Sequence, residues 1–157
     1  MPTNTTGTAL PKDVTNVMHY DRLIDMPREE LAELYRMHSD LLEAELTDVL
    51  VLEGDEQCLV AYGMAAQGTP MTHPIGMLVW RETEPGEWWM QLAYTRVGHR
   101  KGGLYRYLWS RMCSLAARDG TVVEIVIGTD YHNKPMQKVL AKTKAVPASI
   151  IYKYRIK

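Results

Sequence analysis

Residues 87–108 read EWWMQLAYTRVGHRKGGLYRYL, a strand, a basic glycine loop and a helix in immediate succession. Glu87 to Thr95 has the residues of a strand, and Gly98-His99-Arg100-Lys101-Gly102-Gly103 follows as a basic, glycine-containing loop. Leu104, Tyr107, Leu108, Arg111, Met112 and Leu115 then trace a helix that ends near Gly120. A strand that runs through such a loop into a helix makes an anion site. Glycines let the backbone approach closely, several N–H groups converge on one phosphate, and the helix dipole adds positive potential. The loop does not fit the triphosphate pattern G-x-x-x-x-G-K-[ST], because Leu104-Tyr105 follow Gly103. Nor does it fit the dinucleotide fingerprint G-x-G-x-x-G.

Upstream, Ile75 to Arg81 is a second strand, and the Pro85-Gly86 turn makes an antiparallel hairpin of the two. Cys58 to Met64 is a strand before them. Pro27, Glu29 and Glu30 open a helix whose apolar face carries Leu31, Leu34, Tyr35, His38, Leu41, Leu42 and Leu46. Residues 47–54 suit either a helix end or a strand, and a short strand is expected around Asn16 to Tyr20. Downstream, Thr121 to Gly128 (TVVEIVIG) is a β-branched run dense enough for a central strand. A helix from Pro135 to Lys144 and a strand from Ile150 to Ile156 complete an α/β mixed sheet with flanking helices. Residues 1–13 form a polar tail, and 14–157 a single domain.

The 157 residues are 46% hydrophobic and 24% charged with net charge −1, which describes an ordinary globular chain. No window of 18 apolar residues would span a membrane. Two cysteines cannot build a disulfide framework, and a cytoplasmic location is expected. The charge is unevenly spread. Residues 1–87 carry 5 Lys/Arg against 16 Asp/Glu, a balance of −11, and residues 88–157 carry 13 against 3, a balance of +10. That asymmetry fits either an anionic ligand for the second half or two halves with complementary surfaces.

Arg100-Lys101-Gly102-Gly103-Leu104-Tyr105 resembles the R/Q-x-x-G-x-G/A signature of the GNAT-type acyl-CoA N-acyltransferases. Arg100 matches its first position, Gly103 its glycine, and Leu108 an apolar position in the following helix; Tyr105 stands where the family has Gly or Ala. The hairpin, the TVVEIVIG run and Asn133 also fall in the family's order. The resemblance covers 58–157, with 20–46 as the family's first strand and helix. It implies a mostly antiparallel sheet whose fourth and fifth strands splay apart around the pantetheine arm of a coenzyme A thioester, most simply acetyl-CoA. Ala93, Tyr94 and Thr95 would pair with that arm, Arg100, Lys101, Gly102, Gly103, Leu104 and Tyr105 would hold the pyrophosphate, and Asn133 would orient the cofactor. A primary amine would attack the thioester directly, whether on a small molecule, a polyamine, a protein lysine or a protein N-terminus. The alternative is a protein that keeps the fold and binds coenzyme A, or a protein partner, with weakened chemistry.

The resemblance also bears on proton transfer. Counting from Asn133, the family's acid tyrosine falls on Leu140, so Tyr131 is the substitute, with Tyr94 and Tyr105 as further phenols. Glu87 is the expected base acting through water, and Glu82, Glu84 and His132 are alternatives. His99 beside Arg100 and Lys101 adds to the phosphate field. No pair of histidines has metal-ligand spacing, and no metal is expected. Trp88 and Trp89 must face opposite sides of their strand, one in the core and the other lining an acceptor pocket or a homodimer contact. The basic residues after Asn133 flank the adenosine phosphate or form a solvated face; a nucleic-acid stripe is a third and weaker reading.

Overall fold

The structure is a computed structural model that describes residues 9–43, 52–64, 72–129, 133–143 and 145–147. Among these residues five strands form one sheet in chain order: β1 (Val14–Tyr20), β2 (Gln57–Met64), β3 (Thr72–Glu84), β4 (Glu87–Thr95) and β5 (Glu124–Ile127). The first four pair antiparallel, and β5 lies parallel to β4. The helices are α1 (Arg28–Glu43), α2 (Leu104–Asp119) and α3 (Lys134–Lys142). The expected antiparallel hairpin is present.

Each strand alternates between two cores, one on either face of the sheet. Leu59, Ala61, Ile75, Leu78, Trp80, Trp88 and Met90 pack with Leu104, Leu108 and Met112 of α2, and Met136 of α3 joins them. Cys58, Val60, Tyr62, Met77, Val79, Leu92 and Tyr94 pack with Leu34 and Met37 of α1 on the opposite face. A strand buried on both faces carries an unbroken apolar run, and Ile75 to Trp80 is that run.

Two expected boundaries move. The strand assigned to Ile75–Arg81 extends over Thr72–Glu84, because β2 and β4 pair along its length. The TVVEIVIG strand contracts to Glu124–Ile127. The Val123 N–H is taken by the Gly86 carbonyl at 2.8 Å, so the residues before Glu124 tie down the hairpin turn instead. The ambiguous 47–54 stretch lies partly outside the described residues, and the 150–156 strand and Tyr131 lie wholly outside them. No helix among the described residues is long and apolar enough to cross a membrane.

Candidate functional site

The site begins where two strands part. β4 and β5 pair from Glu87 opposite Glu124 to Met90 opposite Ile127, and no further. At that point β4 is bulged: Val79 of β3 faces Leu92 and Trp80 faces Met90, which leaves Gln91 without a partner on β3. From Gln91 to Thr95, β4 has β3 on one side and, among the described residues, no strand on the other. Ala93, Tyr94 and Thr95 instead line a cleft of about 810 Å³.

The far wall of the cleft is α2 and its entry loop. A short 3-10 turn, Val97–His99, carries β4 into Arg100 and Lys101. Lys101 has φ +66° and Gly103 φ +83°, both in the left-handed region that side chains disfavour. Gly103 is the N-cap of α2, no side chain caps the helix, and its first turn holds no acidic residue. Amides of that first turn therefore keep no intrahelical acceptor. Arg100, Lys101, Arg106 and, from α3, Lys142 set positive charge around them. Arg100 Nε donates to the Thr95 carbonyl at 2.8 Å, and its guanidinium carbon lies 5.7 Å from the Tyr94 ring centre. His99, which also lines the cleft, has Nδ1 3.2 Å from Asp13 Oδ2.

α3 closes the third side. Asn133 caps it, its side-chain oxygen accepting the Met136 N–H at 3.2 Å, and Met136 and Val139 face the cleft beside Trp109 and Cys113 of α2. Tyr105 lines the same wall. Among the described residues its buried hydroxyl has no hydrogen-bond partner, and burial pushes its pKa up. A buried hydroxyl without a partner carries a desolvation cost that a ligand can relieve. Burial raises the Cys113 thiol as well, which keeps it a thiol at neutral pH.

Ala93, Tyr94, Thr95, Arg100, Lys101, Gly103, Leu104, Tyr105 and Asn133 are thus brought to one cleft from four segments of chain. Gly102 sits in the loop but does not line it. Glu87, the expected base, opens β4 at its other end, six residues and roughly 20 Å from Ala93 at strand spacing. Its Oε1 accepts the Thr83 hydroxyl at 2.7 Å.

Two contacts that no local sequence pattern signals fasten α1 to this site. The Tyr94 hydroxyl donates to Asp40 Oδ2 at 3.1 Å, and burial, then that carboxylate, hold the phenol above its ordinary pKa. Arg96 bonds Glu33 and also donates from Nε to the Pro74 carbonyl at 2.8 Å. Partners 54 and 63 positions apart leave no local pattern to read. Leu41 of α1 reaches the cleft too.

No family model and no curated protein sequence matches this chain. Solved structures do. A ribosomal-protein-alanine N-acetyltransferase from Brucella melitensis biovar Abortus 2308 superposes with a TM-score of 0.64 at 11% identity, covering 90% of this chain and 99% of that one. The fold is that of the GNAT-type N-acyltransferases. An aminoglycoside acetyltransferase, meta-AAC0020 from an uncultured soil metagenomic sample, solved with sisomicin, has a TM-score of 0.63 at 13% identity over 90% of this chain and 96% of its own. The aminoglycoside N-acetyltransferase AAC(6')-Iy, solved with CoA, has a TM-score of 0.60 at 15% identity over 90% and 99%. At such identities the likeness is one of fold.

Proposed function

We propose that this protein transfers an acyl group, most simply acetyl, from a coenzyme A thioester to a primary amine. The observation that carries this reading is the continuity of the cleft from the uncapped mouth of α2 to the unpaired half of β4. The donor set suits coenzyme A. The amides of 101–105 and the charge of Arg100 and Lys101 would hold a diphosphate. The free edge of β4 at Ala93–Thr95 offers peptide groups to the amides of a pantetheine arm. Tyr105 Oη and Asn133 Nδ2 are further donors along the same wall.

A bound thioester would supply an activated acyl carbon and a thiolate leaving group. The carbonyl oxygen gains charge as the amine attacks, and a backbone N–H from the bulged part of β4 would stabilise it. Tyr94 is the acid we assign. Tyr94 lines the cleft, and its phenol, held above its ordinary pKa by burial and by Asp40, is protonated at neutral pH. It can therefore give its proton to the departing sulfur; the amine attacks in its neutral form, having shed one proton to water, and the N–H proton it loses as the C–N bond forms and the C–S bond breaks restores the phenol. We assign Glu87 to the acceptor's side of the sheet, where its carboxylate draws a cationic amine. A small-molecule amine is the acceptor we favour, in line with the acidic first half of the chain and with neighbours that act on aminoglycosides.

Calorimetric titration of acetyl-CoA into wild type, Arg100→Ala and Gly103→Val tests the cofactor reading, and thiol release with a panel of amines tests the transfer. Binding that weakens in both variants, with amine-dependent release of thiol, is expected. Binding without release from any amine would favour a coenzyme A-binding module, and absence of binding would refute both.

A further inference from the structure

His38 of α1 is 7% exposed, and its Nε2 is buried with no hydrogen-bond partner among the described residues. A buried polar nitrogen left unpaired costs free energy, so an imidazole that merely filled space would be a poor choice on this apolar face. Leu34 and Leu41, four residues before and three after, share the face. Leu34 packs with Leu92 and Tyr94 of β4, and Leu41 lines the cleft. Two contacts fix the path of α1 across β4: Glu33 meets Arg96, and Asp40 meets the Tyr94 hydroxyl. His38 lies between them in the helix. The cleft passes through the sheet here. Trp109 and Cys113 of α2 wall it on one face, while Leu41 and Tyr94 belong to the core on the other. His38 stands one turn from Leu41, at the α1 end of that passage.

Acyl transfer leaves one proton without a protein recipient. An amine with an ordinary pKa of about 10 arrives as an ammonium at neutral pH and must lose a proton before its nitrogen can attack. The carboxylates at the inner edge of α1 are already engaged. Glu30 accepts from Tyr20 and Tyr62, Glu33 bonds Arg96 and Arg36, and Asp40 accepts from Tyr94. Burial raises the phenols of Tyr20, Tyr62 and Tyr94 and the wholly buried Cys58 thiol, so all four keep their protons. His73 of β3, held below its ordinary pKa chiefly by burial, lies at the wrong end. Gly76 is the Cα partner of Thr95, which puts His73 beyond the last residue of β4, beside Arg96 and His99. His38 is the remaining titratable group on this face among the described residues. An imidazole can carry its own proton on Nδ1 and leave Nε2 as an acceptor.

We propose that His38 is the base of the reaction, taking up through water the proton that the acceptor ammonium sheds. The ammonium N–H bond breaks and its electron pair stays on nitrogen for the attack on the acyl carbon. Water carries the proton to Nε2, and the imidazolium returns it to solvent once the amide and the coenzyme thiol have left. Tyr94 keeps its separate task at the sulfur. This rests on the acyl-transfer reading above, in which that first proton went no further than water.

Wild type, His38→Gln and His38→Ala are compared as full chains at saturating acetyl-CoA, with sisomicin and tyramine as acceptors and thiol release as the readout. Glutamine keeps bulk and hydrogen bonding but takes up no proton. At pH 7, kcat should fall about a hundredfold in His38→Gln, with acetyl-CoA affinity by calorimetry unchanged. Wild-type kcat should rise with pH to a plateau. His38→Gln should lack that plateau and climb steadily as hydroxide takes the proton instead. Added imidazole should restore turnover to His38→Ala, whereas pyrrole, of the same shape but not basic, should not. Equal pH profiles in wild type and His38→Gln, or rescue by imidazole and pyrrole alike, overturn the proposal while leaving acyl transfer standing. Failure of the acyl-transfer reading looks different: wild type would bind no acetyl-CoA or release no thiol, and the proposal would fall with it.

Discussion

Met90 on β4 and Ile127 on β5 are the last Cα partners of the only parallel pair among the described strands, and the bulged Gln91 follows Met90 immediately. A bulge increases local twist, so β4 turns away from β5 at the position where pairing ends. Ala93 is the first residue beyond it to line the cleft, and it has the smallest side chain that a strand there could present. Ala93→Leu should fill the gap. Acetyl-CoA affinity is expected to fall by about tenfold or more, with no more than about 1–3 kcal/mol of overpacking. Calorimetry and a denaturant midpoint measured on the same sample check the two effects separately.

Gly76 of β3 faces Thr95 and makes room for the helix that follows. A Cβ there would come within 2.7 Å of Leu104 Cδ2 and 3.0 Å of the Tyr94 carbonyl. Leu104 is the first residue of α2, so Gly76→Ala should push the mouth of that helix away from β4. A loss of about 1–3 kcal/mol in stability is expected. Weaker acetyl-CoA binding should accompany it, although residue 76 does not line the cleft.

Lys101 holds a left-handed conformation that costs a side chain about 1–2 kcal/mol. Glycine would remove that cost but lose more backbone freedom on folding, by about 0.5–1 kcal/mol. Lys101→Gly should therefore be slightly more stable than wild type by thermal melting. It should also bind acetyl-CoA less tightly, because a charge beside the α2 N-terminus is gone. A variant that gains stability and loses affinity would mark the loop as strained for binding.

Tyr94→Phe removes the proposed acid and its bond to Asp40 while leaving the ring. A drop in kcat of about ten- to a hundredfold with little change in KM is expected. Because the phenol is raised above 10, wild-type kcat should show no loss from this group until the pH exceeds 10. The variant should lack that alkaline limb.

Tyr20, Tyr62, Tyr94 and Tyr105 all have raised phenol pKa values, in each case chiefly from burial. The folded chain keeps these protons at a pH where the unfolded chain has released them. Their stabilisation is therefore fully present below about pH 10 and declines as the pH rises beyond it. Urea midpoints measured from pH 8 upward should be flat to that point and then fall. Tyr62→Phe should make the fall shallower. That phenol is doubly engaged, donating to Glu30 and meeting Tyr20 Oη at 3.1 Å.

The sheet was legible in the sequence wherever a residue's partner lies close along the chain. The Pro85-Gly86 turn, the opposite faces of Trp88 and Trp89 and the end of α2 at Gly120 are local features, and each appears as read. The cleft was legible through the resemblance, because its loop is contiguous. What escaped depends on distance. Arg96 with Glu33, and Tyr94 with Asp40, meet only after α1 folds across the sheet. Asn133, expected to orient the cofactor, has its side-chain oxygen engaged as the α3 cap, a role its sequence position did not signal. Which of Trp88 and Trp89 would be exposed depended on the register of β4, which alternation alone leaves open.

Diffraction from crystals grown with coenzyme A tests the whole scheme at its root. The diphosphate should lie within hydrogen-bond reach of the main-chain nitrogens of 101–105, with the pantetheine arm along Ala93–Thr95. Coenzyme bound elsewhere, or an empty α2 mouth at saturating coenzyme, would contradict it.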